Sequence, residues 1–324
     1  MAGARVITLT LNPALDITVS IDQLTPESTL RIPHAQRRLG GKGLNVANVA
    51  AEQGYPALAL APLNELSLAE LKARVAASSP GVCPLHEQVQ LLQASTPVPL
   101  RSTYALVETE SSTTTIINES GQEHPAEVYR ELLKHLADSL AQYPGSVVTL
   151  SGSFPPRSPE GLISDIARTC QEAGAAFIVD TSGPYLLEAA RAGVTYLKPN
   201  RAELVEATGE QDLYRGVARL QELGAQQIIV SCGPDGLYAF GQEQGVKARL
   251  AHPLEGNPTG AGDALVAALA TSLLDELSLE DLLIRAVSWS ASAVTQPLAG
   301  SIGSAWSSLA EKVIVEDVTY PSAS

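Results

Sequence analysis

From Pro125 onward the chain alternates helical windows with short β-rich runs, and no other feature narrows its fold as far. Pro125–Gln142 reads as a helix and Val147–Leu150 as a strand. A helix ending near Gly174 follows, with Ser158 expected as its N-cap and Pro159 at N1. Strands are expected at Phe177–Asp180, Val194–Leu197 and Gln227–Ser231, with helices between them. The last third reads as strands at Gly236–Phe240 and Val246–Leu250, then helices at Ala261–Glu276, Leu279–Gln296 and Ser304–Lys312. Ser278 and Asp281 are spaced like a capping box. Nearer the start, Val6–Leu11 and Ala57–Ala61 read as strands, and Leu44–Gln53 and Leu68–Ala77 as helices. Such alternation predicts an α/β fold, a mostly parallel sheet with helices on both faces. Asp16–Ile21, Arg101–Val107 and Thr113–Ile117 suit that sheet poorly, because each has a polar face. The last two flank a polar turn, Glu108–Ser112, as in a hairpin. These three runs are expected in a small β-sheet lid, which assigns 12–35 and 97–120 to the lid and 1–11, 36–96 and 121–324 to the core.

Charge limits the partners. With 21 Lys+Arg against 35 Asp+Glu the net charge is −14, so a general nucleic-acid or anionic-membrane surface is not expected. A phosphate ligand would require the few cations to be concentrated around it. Cys83, Cys170 and Cys232 are far apart and lack metal-ligand spacing, which predicts reduced thiols and a cytoplasmic protein. Met1-Ala2-Gly3-Ala4-Arg5 lacks signal-peptide anatomy, and Tyr55–Leu63 and Ala264–Leu274 are too short to span a bilayer. The five histidines show no ligand spacing, and Trp289 and Trp306 sit in helical windows as core residues.

Four segments have residue types that handle phosphates. Gly40-Gly41-Lys42-Gly43 precedes a helix, where backbone can approach a ligand and the helix start attracts anions. It is not a P-loop, since Gln36 and Gly43 stand where Gly and Ser/Thr are required; a plain tight turn is the alternative. Thr259-Gly260-Ala261-Gly262-Asp263 runs into an apolar helix. Its backbone N–H groups could form an anion hole, with Asp263 taking a proton from an attacking hydroxyl. The helix N-terminus should favour the ionised carboxylate, and Asp263 could equally serve only to complement the helix dipole. In Lys198-Pro199-Asn200-Arg201-Ala202-Glu203, Asn200 and Glu203 either organise Mg²⁺ beside a nucleotide phosphate or form a capping box, and both can hold together. Ser231-Cys232-Gly233-Pro234-Asp235-Gly236 could cradle nucleotide phosphates or be an ordinary turn. Asp16 follows the first strand, where it could grip sugar hydroxyls or belong to a turn, and Arg31, Lys42 and Arg101 are candidate cations for a substrate phosphate.

The order of these segments carries more than any one of them. Asn12-Pro13-Ala14-Leu15-Asp16, Gly40-Gly41-Lys42-Gly43-Leu44-Asn45-Val46-Ala47, Ser151-Gly152-Ser153-Phe154-Pro155-Pro156, Lys198-Pro199-Asn200-Arg201-Ala202-Glu203-Leu204 and Gly260-Ala261-Gly262-Asp263 occur in that succession. This resembles the PfkB, ribokinase-like carbohydrate kinases, in the branch of 1-phosphofructokinase, tagatose-6-phosphate kinase and the minor 6-phosphofructokinase.

The resemblance implies a doubly wound core, a lid that closes over the sugar and often makes a homodimer clasp, and the use of ATP and Mg²⁺. It implies Asp263 as catalytic base, with Gly260, Ala261 and Gly262 as the anion hole. Asp16, Gly41 and Asn45 are implied sugar contacts, with Lys42 and Arg101 near the sugar phosphate. Lys198, Asn200, Ser231, Gly233 and Gly236 are implied on the nucleotide side, and Glu203 on the Mg²⁺ side, through water. The chain departs from the pattern at Pro62-Leu63-Asn64-Glu65-Leu66-Ser67, which lacks the family's glycines, and at Leu100-Arg101-Ser102-Thr103, which keeps the Arg but not the Asn. The expected activity is phosphorylation of fructose 1-phosphate to fructose 1,6-bisphosphate. Tagatose 6-phosphate or fructose 6-phosphate is the alternative within the branch, and a catalytically silent binding protein the alternative outside it.

Overall fold

The computed structural model describes residues 3–77, 79–111, 113–241, 244–296 and 298–319. The first part of the chain gives strands β1 (Val6–Leu9), β2 (Ala14–Ile21), β3 (Gln36–Gly40), β4 (Ala57–Leu63), β5 (Val89–Ser95), β6 (Arg101–Glu108) and β7 (Thr113–Asn118). Helices α1 (Lys42–Glu52) and α2 (Glu65–Ala76) lie among them. The remainder gives β8 (Val147–Ser151), β9 (Phe177–Asp180), β10 (Tyr196–Leu197), β11 (Ile228–Ser231), β12 (Leu237–Phe240), β13 (Gly245–Leu250) and β14 (Val313–Val318). Its helices are α3 (Ala126–Gln142), α4 (Leu162–Glu172), α5 (Pro184–Arg191), α6 (Arg201–Thr208), α7 (Leu213–Glu222), α8 (Ala261–Leu274), α9 (Leu279–Val294) and α10 (Trp306–Ala310).

A ten-stranded sheet runs in the order β14-β13-β12-β11-β10-β9-β8-β1-β4-β5. It is parallel from β11 to β5, and β12, β13 and β14 extend one edge as an antiparallel meander. Its central strands are short apolar runs because helices cover both faces, so that no side chain meets water. Alternation within β1 sorts the faces: Ile7 belongs to the core cluster that holds Tyr129 and Leu136 of α3, and Val6 to the one that holds Val49 of α1 and Leu269 of α8. Helix α8 is buried on all sides from Asp263 to Ser272, which its Ala- and Leu-rich sequence permits. Trp289 is 1% exposed in that core, edge-on to Trp306, as their helical positions suggested. Among the described residues no helix is long and apolar enough to cross a membrane.

A separate four-stranded sheet has the order β3-β2-β6-β7, with β2 and β6 parallel and the other pairs antiparallel. Strands β6 and β7 are half-buried or exposed and β2 is so at most of its positions, which explains their mixed polarity. Strand β3 belongs to this sheet, so the sheet extends past residue 35 into a stretch expected in the core. Gln-Arg-Arg-Leu-Gly has too little alternation to announce a strand. The helix expected from Ser158 begins instead at Leu162, after Gly161 in the left-handed region. Ser158 closes a turn, its N–H and hydroxyl both donating to the Pro155 carbonyl at 3.3 and 2.8 Å. Strands β5 and β14 were not anticipated; both are partly exposed edge strands. Of the hairpin turn, Ser112 lies outside the described residues.

Candidate active site

The strand order fixes where a ligand can sit. From β1 the chain winds outward to β4 and β5 on one side and to β8 and β9 on the other, so the crevice at the carboxyl ends of β1 and β8 is the switch point. A cleft of about 590 Å³ opens there beneath the small sheet, lined by Thr10 and Asn12 after β1 and by Ser151, Gly152 and Ser153 at the end of β8. The small sheet contributes Asp16, Ile17, Arg38, Arg101, Thr103 and Ile116. Helix α1 contributes Lys42 and Asn45, and α8 contributes Asp263.

Asp263 is 5% exposed and stands in the first turn of α8. Asn45 Nδ2 donates to its Oδ2 at 2.8 Å, and Asn45 Oδ1 accepts from Arg38 Nη2 at 2.6 Å. Burial pushes the Asp263 carboxyl up to about 7, against the opposing pull of the Lys42 ammonium and the Asn45 hydrogen bond. The helix N-terminus was expected to favour the ionised form; burial acts in the opposite direction. Gly260 caps α8 at φ 88°, and a Cβ there would come within 2.8 Å of Ala299 Cα. The amides of Ala261 and Gly262 follow in the first turn, where helical N–H groups lack intrahelical acceptors; that of Ala261 donates to Pro258 O at 3.2 Å. Gly41, at φ 117°, precedes α1 with a Cβ position 2.7 Å from Thr10 Cγ2, so only glycine lets the chain turn against β1.

A chain of buried and half-buried ion pairs meets the cleft through Lys42. Asp180, 1% exposed at the carboxyl end of β9, places Oδ1 3.1 Å from Lys198 Nζ and Oδ2 3.6 Å from Lys42 Nζ. Lys42 Nζ is also 3.8 Å from Glu203 Oε1. Burial raises the Asp180 carboxyl, but the two ammonium groups together hold it below the ordinary carboxylate value. Asp180, in turn, raises Lys42. Lys42 therefore lines the cleft with its ammonium facing two acids. Lys198 is 3% exposed and lines no open surface of the cleft. Asn200 and Glu203 form the capping box of α6, with reciprocal bonds of 2.9 and 2.8 Å. Asn200 bridges to Ser231, and Gly233 and Gly236 form the turn between β11 and β12. Ser231, Gly233 and Gly236 do not line the cleft.

Elsewhere in the cleft the hydrogen bonds of Arg101 go to neutral oxygens. Arg101 donates to Asn12 O at 3.2 Å, Thr103 Oγ1 at 3.3 Å and Glu119 O at 3.0 Å. Asp16 lies opposite Arg38 across β2 and β3; burial raises its carboxyl, opposed by Arg38, Arg101 and the Gly41 N–H. Arg31 is exposed and lines no part of the cleft. Sequence reasoning missed Arg38 and Asp180. Asp180 ends a buried strand at the sheet's carboxyl edge, a position that could have revealed it. Arg38 gave no signal, because β3 itself was not visible.

The model of the pfkB family carbohydrate kinases matches residues 9–305. A 1-phosphofructokinase of Xanthomonas campestris is 33% identical over 281 residues, covering 84% of this chain and 85% of the relative. A tagatose-6-phosphate kinase of Staphylococcus epidermidis is 28% identical, covering 87% of this chain and 89% of that one. Among solved structures, the tetrameric inhibited form of Escherichia coli phosphofructokinase-2 matches with a TM-score of 0.81 at 25% identity, covering 95% of this chain and 98% of that one.

Proposed function

The chain belongs to the pfkB family of carbohydrate kinases and is a phosphotransferase, and from that premise we propose that it transfers the γ-phosphoryl group of ATP to the primary hydroxyl of fructose 1-phosphate. The observation that carries this is a buried carboxylate, Asp263, in one cleft with an arginine, Arg101, whose hydrogen bonds among the described residues go to neutral oxygens. The first can accept the hydroxyl proton once ionised, and the second can bind a phosphate. The fructose 1-phosphate assignment is supported by the 33% identical 1-phosphofructokinase. Tagatose 6-phosphate is the second substrate to test, on the strength of the relative at 28%.

In this reading Asp16, Gly41 and Asn45 hold the sugar. Asn45 retains one N–H and one carbonyl lone pair beyond its bonds to Asp263 and Arg38. The first-turn backbone at Gly260, Ala261 and Gly262 faces the charge that develops on the transferred group, and the reaction rests on positioning and electrostatics. Lys198, Asn200, Ser231, Gly233 and Gly236 form the nucleotide side. Among the described residues no three His, Cys, Asp or Glu converge as a metal cage. That suits Mg²⁺, which keeps its waters and is held by phosphates plus one or two carboxylates. Glu203 would hold it through water, and the ion would neutralise charge on the transferred phosphoryl group. The small sheet acts as the lid, and its exposed Ile117, 53% accessible, is assigned to contact with a second copy in a homodimer. The free cysteines support a cytoplasmic location.

The test is ATP consumption with fructose 1-phosphate, tagatose 6-phosphate, fructose 6-phosphate and free fructose. Fructose 1-phosphate should give the highest kcat/KM. Equal turnover of free fructose overturns the phosphate-bearing substrate, and nucleotide binding without turnover on any sugar turns the reading to a binding protein.

A further inference from the structure

The contact between α1 and α8 holds a side-chain amide whose two ends are sorted by a third residue. Arg38, on β3 and 8% exposed, places Nη2 2.6 Å from one end of the Asn45 amide, and Asp263 lies 2.8 Å from the other. A guanidinium has donors and no acceptor, so the end of the amide facing it has to be the carbonyl oxygen. The NH₂ group is thereby turned toward Asp263. We propose that Arg38 is a positioning residue which, by locking the Asn45 amide, presents the Asp263 carboxylate with a donor and never an acceptor.

The consequence concerns which form of Asp263 the site favours. A carboxylate is stabilised by an N–H that points at it, whereas a protonated carboxyl would be stabilised by an amide oxygen. Without Arg38 the amide is free to turn over and accept the Asp263 proton, leaving the base neutral. Buried to 5% exposure, Asp263 has little solvent to take over the role of the lost donor. Other charged groups act on Asp263 as well: Lys42 from α1, Asp180 from the end of β9 and Lys198 beyond β10. Arg38 itself faces Asp16 and Cys83 in addition to Asp263. The experiment therefore has to separate control through Asn45 from the bare charge of Arg38. Gly300 lies against both partners: a Cβ added there would come within 2.9 Å of Arg38 Nη2 and 3.1 Å of Asn45 Oδ1, so the pair in this arrangement needs glycine at 300.

The inference rests on Asp263 as the base, so its test includes a readout that does not need turnover. The titration of the Asp263 carboxyl is followed by ¹³C NMR in the full, unliganded chain, with Asp263→Asn identifying the resonance, alongside the pH profile of kcat. Arg38→Met should raise the midpoint by about one pH unit and lower kcat at pH 7 about fivefold. Arg38→Lys, still a donor without an acceptor, should recover most of the shift. In an Asn45→Ala background, Arg38→Met should move the midpoint little. If Arg38→Met does not fold, Arg38→Gln removes the same one-way constraint and takes its place. An unmoved midpoint, or an equal shift with and without Asn45, overturns the proposal. A midpoint that moves while the kcat profile stays put leaves the positioning role intact and removes Asp263 as the base.

Discussion

In the cleft the Arg101 guanidinium donates to oxygens of Asn12, Thr103 and Glu119 that carry no charge, while Lys42 reaches from the cleft wall to Asp180 and Glu203, with Lys198 buried behind them. In a chain of net charge −14 the arginine end and the lysine end draw on the same scarce cations. They differ in whether that charge is available to a ligand. A phosphate entering the arginine end meets a cation whose hydrogen bonds go to neutral oxygens, with the Asp16 and Glu119 carboxylates acting on it only through space. One entering the lysine end meets ammonium groups already balanced by acids, and needs a further cation to bind well. The difference supports placing the sugar phosphate at Arg101 and the nucleotide with its metal near Glu203. Asp263 is tied to both cation groups, through Asn45 to Arg38 and electrostatically to Lys42.

The largest effect should come from that carboxylate. Asp263→Asn retains the size and can still accept the Asn45 N–H, but it cannot take a proton, so kcat should fall ~10²–10⁴-fold with ligand affinity nearly unchanged. Steady-state rates and equilibrium binding on one preparation check this, and near-wild-type turnover would falsify the base assignment. Because burial holds the wild-type carboxyl at about 7, kcat should rise with pH through that value. The stability consequence has the opposite sign. The folded protein keeps a proton that the unfolded chain releases near 3.8, so stability falls as pH rises from there to about 7. Asp263→Asn should therefore raise Tm at pH 8 and leave it little changed at pH 4.

Next in size is the ion-pair end. Asp180→Asn strips Lys198, 3% exposed, of its carboxylate and leaves a buried ammonium uncompensated, which costs about 3–5 kcal/mol. Urea unfolding should show a lower midpoint at unchanged slope. A loss below about 1 kcal/mol would mean that the lysines find other partners and that this end is not electrostatically closed.

The arginine end should respond in binding instead. Arg101→Ala should raise KM for the sugar phosphate about tenfold, a charge-assisted contact being worth ~1.5–3 kcal/mol, and leave KM for ATP nearly constant. Parallel rises in both constants would erase the division between the two ends.

How far this was legible in the sequence depends on burial. Strands β1, β8, β9 and β11 are continuous apolar runs because both faces are covered, and the alternation around them gave the core architecture. The motifs at 40–43 and 260–263 showed where the chain turns into helices at the cleft. What stayed hidden was pairing between distant segments. Nothing in Gln36–Gly40 says that it lies against β2, so neither Arg38 nor its contact with Asn45 could be read. Asp180 needed the neighbourhood of Lys42 and Lys198, which only the folded sheet supplies.

The smallest expected effect bears on the same point. The sequence offered Arg31, Lys42 and Arg101 on equal terms as phosphate ligands, and the fold gives each a different setting. Arg101 lines the cleft among neutral acceptors, Lys42 faces two acids, and Arg31 is exposed outside it. Any influence of Arg31 on a phosphate would have to act at long range through solvent, where salt screens charges beyond ~10 Å. Arg31→Ala should thus change KM for the sugar phosphate less than about twofold, in line with surface substitutions that remain within ~0.5 kcal/mol. Measured beside Arg101→Ala at low and at physiological salt, it separates a contact from a general field. A rise in KM matching that of Arg101→Ala would show that the segment carrying Arg31 closes onto the substrate, and would extend the arginine end of the cleft beyond the residues that line it in the unliganded fold.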